Sequence, residues 1–315
     1  MIVRLACFDE RVLVRSHNHK AFTLIELLVV VTIIALLVGI LLPAMSSARA
    51  RAKGTVCLTH LRTLGQGMTM YALSHKEELP PSRMPNLGDG VHWQIEISGG
   101  LKYRPTFLAI MGNQIGMQPF DDPQAVKDDV DRHGELGDRQ DYASESYVCP
   151  AVADWTDERN GAYGYNYQFL GNARLRDSGD PGSFKNWPVK LSRIKRPASC
   201  VAVADCMGTA ASFHRPLPYE NNSREVERYG NEGFNLDPPR VDEDNGEMAE
   251  FDEKKRTALD DRHVGRGGVL WLDGRAKLST LKKLGYVVDE NDIVTFEGNN
   301  EFFHNLFRDD PWISP

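Results

Sequence analysis

The sequence predicts an α+β fold in which one long N-terminal helix is followed by an antiparallel β-sheet with long loops. Three observations support this prediction. Residues 27–42 contain no charged side chain, and apolar residues then recur at intervals of three or four as far as Tyr71, as they do in an amphipathic helix. Further along the chain, short β-branched and aromatic runs lead to an Asp-Gly pair at Asp273, which is a strong signal for a β-hairpin.

Composition limits the classes of function. The chain has 315 residues, enough for one large or two small domains, and 41% of them are hydrophobic, so a core can form. The net charge of −7 argues against a nucleic-acid-binding protein, which needs a basic surface.

Residues 22–45 form the most apolar segment. A helix over these residues is long enough to cross the roughly 30 Å hydrocarbon core of a bilayer. Its Leu, Ile and Val residues leave no polar stripe of the kind that a soluble helix shows. Three interpretations follow: a secretory signal cut near Ser47, a plain signal anchor, or a signal defined by the residues that precede the apolar run.

The residues before the run favour the third interpretation. Residues 20–26 read KAFTLIE, and this stretch resembles the signal of type IV prepilins and type II secretion pseudopilins. In that family a basic leader ends in Gly or, less often, Ala, the cut precedes Phe, and Glu is the fifth residue of the mature chain. The resemblance implies cleavage between Ala21 and Phe22, methylation of the Phe22 amine, and a role for Glu26 in assembly and in recognition by the peptidase.

Glu26 also has a physical requirement of its own. A carboxylate near the edge of an apolar span costs a few kcal/mol and therefore needs a partner. Cleavage would create an amine on Phe22, and in a filament the Glu26 of one subunit could pair with the Phe22 amine of its neighbour and fix the register.

Basic residues flank the span on both sides, so charge does not set its orientation. The resemblance implies a single-pass anchor in the inner membrane with the N-terminus in the cytoplasm and the head outside.

The helical pattern continues beyond the apolar segment. Pro43 predicts a kink or a local unwinding, and Pro80-Pro81 ends the helix. Between them, one apolar face carries Leu58, Leu61, Leu64, Met68 and Tyr71. The expected divisions of the chain are a leader over residues 1–21, an assembly helix over 22–45, an amphipathic continuation over 46–78 and a globular head over 79–315.

The head carries short strand signals. Residues 147–150, 161–167 and 199–205 are predicted to form short strands and turns. The tyrosine-rich middle run is expected to be a packed loop rather than a stacking platform. Residues 267–278 predict a hairpin with a type I′ turn at Asp273-Gly274.

His263 lies nine residues before this turn. The resulting H-x9-DG element (His263, Asp273, Gly274) is similar to one at the C-terminus of a large bacterial family of prepilin-processed proteins. That family also often shows a cysteine pattern after the anchor, here at Cys57, a YxCP element, here residues 147–150, and a YGYN-like element. His263 and Asp273 could form half of a catalytic triad or a metal site. Because no recognisable nucleophile accompanies them, we expect Asp273 to serve the turn and His263 to make a structural hydrogen bond.

The cysteines allow several arrangements. Cys7 lies in the expected leader, and the other four would lie outside the cytoplasm, where disulfides are permitted. Plausible pairs are Cys57 with Cys149, Cys200 with Cys206, or Cys149 with Cys200, and free buried thiols are the alternative.

No cofactor is expected. The Asp-rich residues 121–141 and the acidic residues 220–262 are predicted to be long exposed loops. Calcium binding by such carboxylates is the alternative, although no EF-hand spacing is present.

The functional hypothesis is a structural subunit and not an enzyme. The chain would be processed by a prepilin peptidase and assembled with other pilin-like subunits in the inner membrane, for a type II secretion or type IV filament system, with no nucleic-acid partner. The alternative is a membrane-anchored extracytoplasmic binding protein or hydrolase that uses the prepilin signal only as an anchor.

Overall fold

The fold is α+β, as predicted, with a long N-terminal helix and an antiparallel sheet in the C-terminal region. The chain divides into two compact units, Met1–Ala48 and Arg49–Pro315. The structure, a computed structural model, describes residues 23–82, 94–97, 99–103, 105–120, 142, 144–151, 163–174, 184–186, 189–206, 235–240, 258–290, 294–295 and 297–309.

Helix α1 spans Leu24–Ser74. It continues through Pro43, so the predicted unwinding does not occur there, because the loss of one backbone donor does not by itself break a helix of this length. The helix ends at Ser74, earlier than the expected residue 78. Lys76 and Glu77 follow with positive φ angles of 54° and 68°, a conformation that an α-helix cannot contain.

The N-terminal unit contains the apolar part of α1. Its large apolar side chains are exposed, from 43% at Val38 to 80% at Leu24. Among the described residues, α1 is the one helix that is long and apolar enough to cross a membrane. A contiguous exposed apolar surface of this kind requires a bilayer or a partner to cover it.

The later part of α1 belongs to the C-terminal unit and packs there along one face. The buried side chains on this face are Cys57, Leu61, Leu64, Met68 and Tyr71, and Leu58 is partly buried. This agrees with the apolar face predicted from the sequence. The opposite side carries exposed residues such as Arg51 and Lys53.

Helix α2, Phe107–Gln114, lies directly against α1. A Cβ atom at Gly67 would overlap the carbonyl oxygen of Met111, and a Cβ at Gly65 would lie 2.8 Å from a methyl group of Leu270. These two glycines allow the backbone of α1 to approach α2 and the sheet.

The described strands form three antiparallel sheets. Two are two-stranded: β1 (Gln94–Ile97) pairs with β2 (Gly100–Tyr103), and β4 (Asn172–Arg174) pairs with β5 (Phe184–Asn186). The main sheet has the order β3-β6-β7-β8, in which β3 is Tyr163–Tyr165, β6 is Val201–Asp205, β7 is Gly267–Trp271 and β8 is Ala276–Ser279.

Two of the three predicted strand runs are present in the main sheet, as β3 and β6. The third is wrong: residues 147–150 form no strand, because Tyr147 ends a 3-10 turn, Glu145–Tyr147, and irregular structure follows it. Tyr163, Tyr165 and Tyr167 are fully buried, so this run is packed and offers no stacking platform. Tyr167 opens a short helix, α3 (Tyr167–Leu170).

Strands β7 and β8 form the predicted hairpin, but the type I′ turn is wrong. The Trp271 N–H donates to the Arg275 carbonyl at 2.9 Å, which leaves a three-residue loop of residues 272–274. Only Gly274 in that loop has a positive φ, of 82°. A type I′ turn needs positive φ at both central residues, whereas a left-handed third residue is typical of the bulged three-residue loop.

The main sheet is covered on both faces. Leu270 points into a core that includes Leu61 and Leu64 of α1, whereas Val269 and Trp271 point into a second core that contains Tyr286 and Phe303. The central strands β6 and β7 are therefore buried at every residue, and the VAVAD run lacks the apolar and polar alternation of a half-exposed strand.

We predict that Gly67→Ala lowers the free energy of unfolding by about 2 kcal/mol, because the added methyl group must separate α1 from the backbone of α2. Gly54→Ala in the same helix is the matched control. Its Cβ would lie 3.5 Å from the nearest atom, an ordinary contact, so the gain in helix propensity should leave stability unchanged or higher. Denaturant unfolding of both full-length variants in detergent tests this, and equal stability would contradict the close packing described.

Candidate functional site

Four ionisable side chains converge in the interior of the C-terminal unit. They are Cys57 on α1, Cys149 after the 3-10 turn, Asp205 at the end of β6 and His263 in the turn before β7. Their exposed fractions are 0%, 1%, 0% and 4%. One potential ligand atom of each residue lies within 4.8 Å of those of the other three. We call this group the Cys-Asp-His cluster.

His263 and Asp205 connect the cluster. The Nε2 atom of His263 lies 3.1 Å from Oδ2 of Asp205 and 3.2 Å from Sγ of Cys149. The Cys57 Sγ lies 3.5 Å from each carboxylate oxygen of Asp205. The Nδ1 atom of His263 has no hydrogen-bond partner within the described part of the chain, so the polar contacts of the ring are all made by Nε2.

Groups around the cluster hold these atoms in place. The Gly268 N–H donates to Oδ2 of Asp205 at 2.6 Å, and the Tyr163 hydroxyl donates to Cys57 Sγ at 3.6 Å. A Cβ atom on Gly268 would lie 2.9 Å from Cys57 Sγ and 3.0 Å from Asp205 Oδ2. The site therefore requires glycine at this position of β7.

A tight turn presents His263. The His263 N–H donates to the Arg266 carbonyl at 2.8 Å. Inside this turn Val264 and Gly265 have φ angles of 58° and 72°. A β-branched residue such as Val rarely adopts positive φ, so the short turn closed by His263 and Arg266 holds Val264 in a strained conformation.

The cluster perturbs the pKa values of its members. Burial raises the pKa of the Cys149 thiol, but hydrogen bonds with Cys57 and His263 outweigh burial and bring that pKa to about 6. Burial likewise lowers the pKa of His263, and the hydrogen bonds with Asp205 and Cys149 reverse this and raise it to about 9. The hydrogen bond with Cys149 raises the pKa of Cys57, and burial raises it further.

A buried cation lies next along the chain. Arg262 forms an ion pair with Asp260 at 2.8 Å, and both side chains are nearly fully buried. Its positive charge helps to lower the pKa of Cys149. The cluster is thus a charged group inside an apolar core, and its members are too deeply buried for a substrate to reach.

The H-x9-DG spacing suggests that Asp273 is the partner of His263, but the structure pairs each of them with another residue. His263 pairs with Asp205, whereas the exposed Asp273 accepts a hydrogen bond from the Arg275 N–H at 3.0 Å within its own turn. Asp273 thus makes a side-chain hydrogen bond within the turn. A nucleophilic side chain, Cys149, does contact His263, although no recognisable nucleophile motif in the sequence marks it.

All four cysteines of the C-terminal unit are free, buried thiols. Cys57 and Cys149 adjoin one another in the Cys-Asp-His cluster. The thiol of Cys200 instead donates to the Phe303 carbonyl at 3.6 Å, and Cys206, like Cys200, lies outside the cluster.

Sequence reasoning missed the cluster because its members are far apart in the chain. A signal was nevertheless present. The cysteine pattern after the anchor, the YxCP element and the H-x9-DG element each contribute one member, namely Cys57, Cys149 and His263. Each motif therefore contains a residue type that binds metals, although no single motif has the spacing of a metal site.

The start of α1 contains a second feature that the sequence analysis overlooked. The Thr23 N–H and hydroxyl both donate to Oε2 of Glu26, at 2.9 and 2.7 Å, and the Glu26 N–H donates to the Thr23 hydroxyl oxygen at 3.2 Å. This is a reciprocal capping box, and its T-x-x-E signature precedes the apolar run in the sequence.

Ala21 and Phe22 lie outside the described residues, as do residues 121–141 and most of 220–262, where calcium binding was considered.

Comparison with known proteins bears on the N-terminal segment. Residues 16–42 match a family model described as the prokaryotic N-terminal methylation motif. The segment is of the prepilin type. The chain is also similar to the type IV wide pilus major component PilA4 of Thermus thermophilus, with 43% identity over 58 residues, which is 18% of this chain and 44% of that protein. The chain thus spans less than half the length of this relative. No solved structure matches the chain.

These matches support a pilin-like chain with an N-terminal membrane anchor, as expected from the KAFTLIE stretch.

We predict that Asp205→Ala lowers the free energy of unfolding by about 3 kcal/mol, because it leaves His263 and the Gly268 N–H buried without their carboxylate partner. Asp273→Ala is the control, since it removes only one exposed turn contact and should change stability little. Denaturant unfolding compares the two. A larger loss for Asp273→Ala would show that the H-x9-DG spacing, not the Asp205 contact, identifies the partner of His263.

Proposed function

We propose that this chain is a prepilin-processed, membrane-anchored, pseudopilin-like subunit of a type II secretion or type IV filament system. The observation that carries this proposal is the methylation motif over residues 16–42, which overlaps the exposed apolar part of α1. The cut falls between Ala21 and Phe22, the new amine of Phe22 is methylated, and the apolar part of α1 packs among the helices of neighbouring subunits. The chain sits in the inner membrane with its head outside the cytoplasm.

The capping box gives Glu26 two roles. In the isolated chain its carboxylate accepts hydrogen bonds from Thr23 and caps the helix. In an assembled filament its negative charge pairs with the Phe22 amine of a neighbouring subunit, which satisfies a carboxylate that would otherwise be costly beside an apolar span. The two roles make different demands, because capping needs only an acceptor, whereas pairing needs the charge.

The proposed role is structural and not enzymatic. Cys149 and His263 form a nucleophile and base arrangement inside the Cys-Asp-His cluster, and both side chains are buried. A general base must reach the substrate within hydrogen-bond distance, and these residues face the core. This burial favours a subunit over a hydrolase that uses the prepilin signal only as an anchor.

We predict that the protein recovered from membranes begins at an N-methylated Phe22. Mass spectrometry of the N-terminal peptide measures this. Ala21→Leu should block the cut, because a small residue is required beside the scissile bond, and Ala21→Gly should preserve it. A chain that begins at Met1 would instead be a plain signal anchor, and one that begins near Ser47 a secreted protein, and either result would remove the basis for filament assembly.

We predict that Glu26→Gln keeps membrane insertion but abolishes crosslinking to neighbouring pilin-like subunits. Glutamine can still accept the Thr23 hydrogen bonds, so the helix cap survives while the charge is lost. Thr23→Ala is the matched control, since it weakens the cap and leaves the charge. In-cell crosslinking between cysteines placed in the apolar segment measures assembly. If Thr23→Ala abolished crosslinking and Glu26→Gln did not, the cap and not the charge would be the requirement.

A further inference from the structure

We propose that Cys57, Cys149, Asp205 and His263 form a structural metal site in the head that binds one zinc ion. This inference does not depend on prepilin processing. It rests on the Cys-Asp-His cluster, whose four side chains come from four separate elements and direct their ligand atoms to one point inside the core.

The separations between ligand atoms fit a tetrahedral site. Zinc lies about 2.3 Å from a thiolate and about 2.0–2.1 Å from an imidazole nitrogen or a carboxylate oxygen, so the edges of the tetrahedron measure about 3.3–3.8 Å. Three of the six edges measure 3.1 Å from His263 to Asp205, 3.2 Å from His263 to Cys149, and 3.5 Å from Cys57 to Asp205, and the other three are within 4.8 Å. Small movements of these side chains would admit the ion.

The types of ligand select zinc. Two thiolates, one imidazole and one carboxylate combine soft, intermediate and hard ligands, and zinc accepts all three types in four-coordinate sites. Calcium and magnesium prefer six or more oxygen ligands, and the cluster offers one carboxylate. Iron–sulfur clusters use four thiolates in their common forms, and only two are present here.

The atoms around the cluster behave as a second shell. The Gly268 N–H holds Oδ2 of Asp205, and the Tyr163 hydroxyl contacts Cys57 Sγ. Such outer hydrogen bonds orient metal ligands and are a usual part of metal sites. The single ring nitrogen of His263 that makes polar contacts, Nε2, is the one that contacts Asp205 and Cys149.

The charge of the ligands also fits a divalent ion. Cysteines bind zinc as thiolates, and two thiolates with one carboxylate carry three negative charges, which would be costly in an apolar core without a cation. Within the described residues the nearby basic groups are His263 itself and Arg262, and Arg262 is already paired with Asp260. A divalent cation would balance most of the negative charge of the cluster.

The test measures metal in the full-length protein, purified in detergent with a reductant and a histidine-free tag. Inductively coupled plasma mass spectrometry should find about one zinc per chain. Cys149→Ser and His263→Ala should reduce this more than tenfold. Cys200→Ser is the matched control, because Cys200 is an equally buried thiol outside the cluster, and it should retain the ion.

A second measurement covers variants that fail to fold. Wild-type protein treated with a chelator and reconstituted with Co²⁺ should show visible ligand-field bands and near-ultraviolet thiolate-to-cobalt charge transfer, and zinc should bleach both. Alkylation of the wild-type protein should label Cys57 and Cys149 faster after chelation, with Cys200 unchanged. A folded wild-type chain that takes up no zinc from excess, or native protein with a Cys57–Cys149 disulfide, would overturn the proposal, as would zinc that survives in Cys149→Ser.

Discussion

The head depends on the close approach of α1 to the main sheet. The apolar side chains of Leu61 and Leu64 fill the space between them, but the distance is set by glycines. Gly65 on α1 leaves room for Leu270 of β7, and Gly268 on β7 leaves room for Cys57. Such glycines cost conformational entropy and helix propensity, so their presence is explained by packing that no larger residue allows.

The polar cluster lies at this same interface. A buried group of acids and a base is weak evidence of stability, since apolar residues of similar volume often stabilise a core as well or better. Its members also come from distant parts of the chain: a helix, a loop after a 3-10 turn, a central strand and a tight turn. A cluster of this composition fixes which segments meet, and a bound ion would make that choice strict, because metal affinity becomes folding free energy.

Sequence periodicity predicted much of the fold. The sequence is uniformly apolar from residue 27 and later, as far as Tyr71, is apolar on one helical face only. In the structure both parts belong to a single helix, exposed in the first part and buried along one face in the second. The hairpin was predictable from Asp273-Gly274, but its turn type was not, because Asp-Gly occurs in both two-residue and three-residue loops. The strand predicted for residues 147–150 is absent. Tyr and Val favour strands, but the contacts of the buried Tyr147 and Cys149 keep this segment irregular.

The Cys-Asp-His cluster was the least predictable part, and the reason is geometric. Short-range spacing identifies a site only when its ligands lie on one hairpin or one helix. Here each member lies on a different element. Asp205 is the last residue of the VAVAD run, a position where an acidic residue indicates the end of a strand and not a binding site. The burial of all five residues of β6 gives Asp205 its significance. A carboxylate inside a strand covered on both faces needs a compensating partner, and His263, Cys57 and the Gly268 N–H are the groups that the fold brings to it.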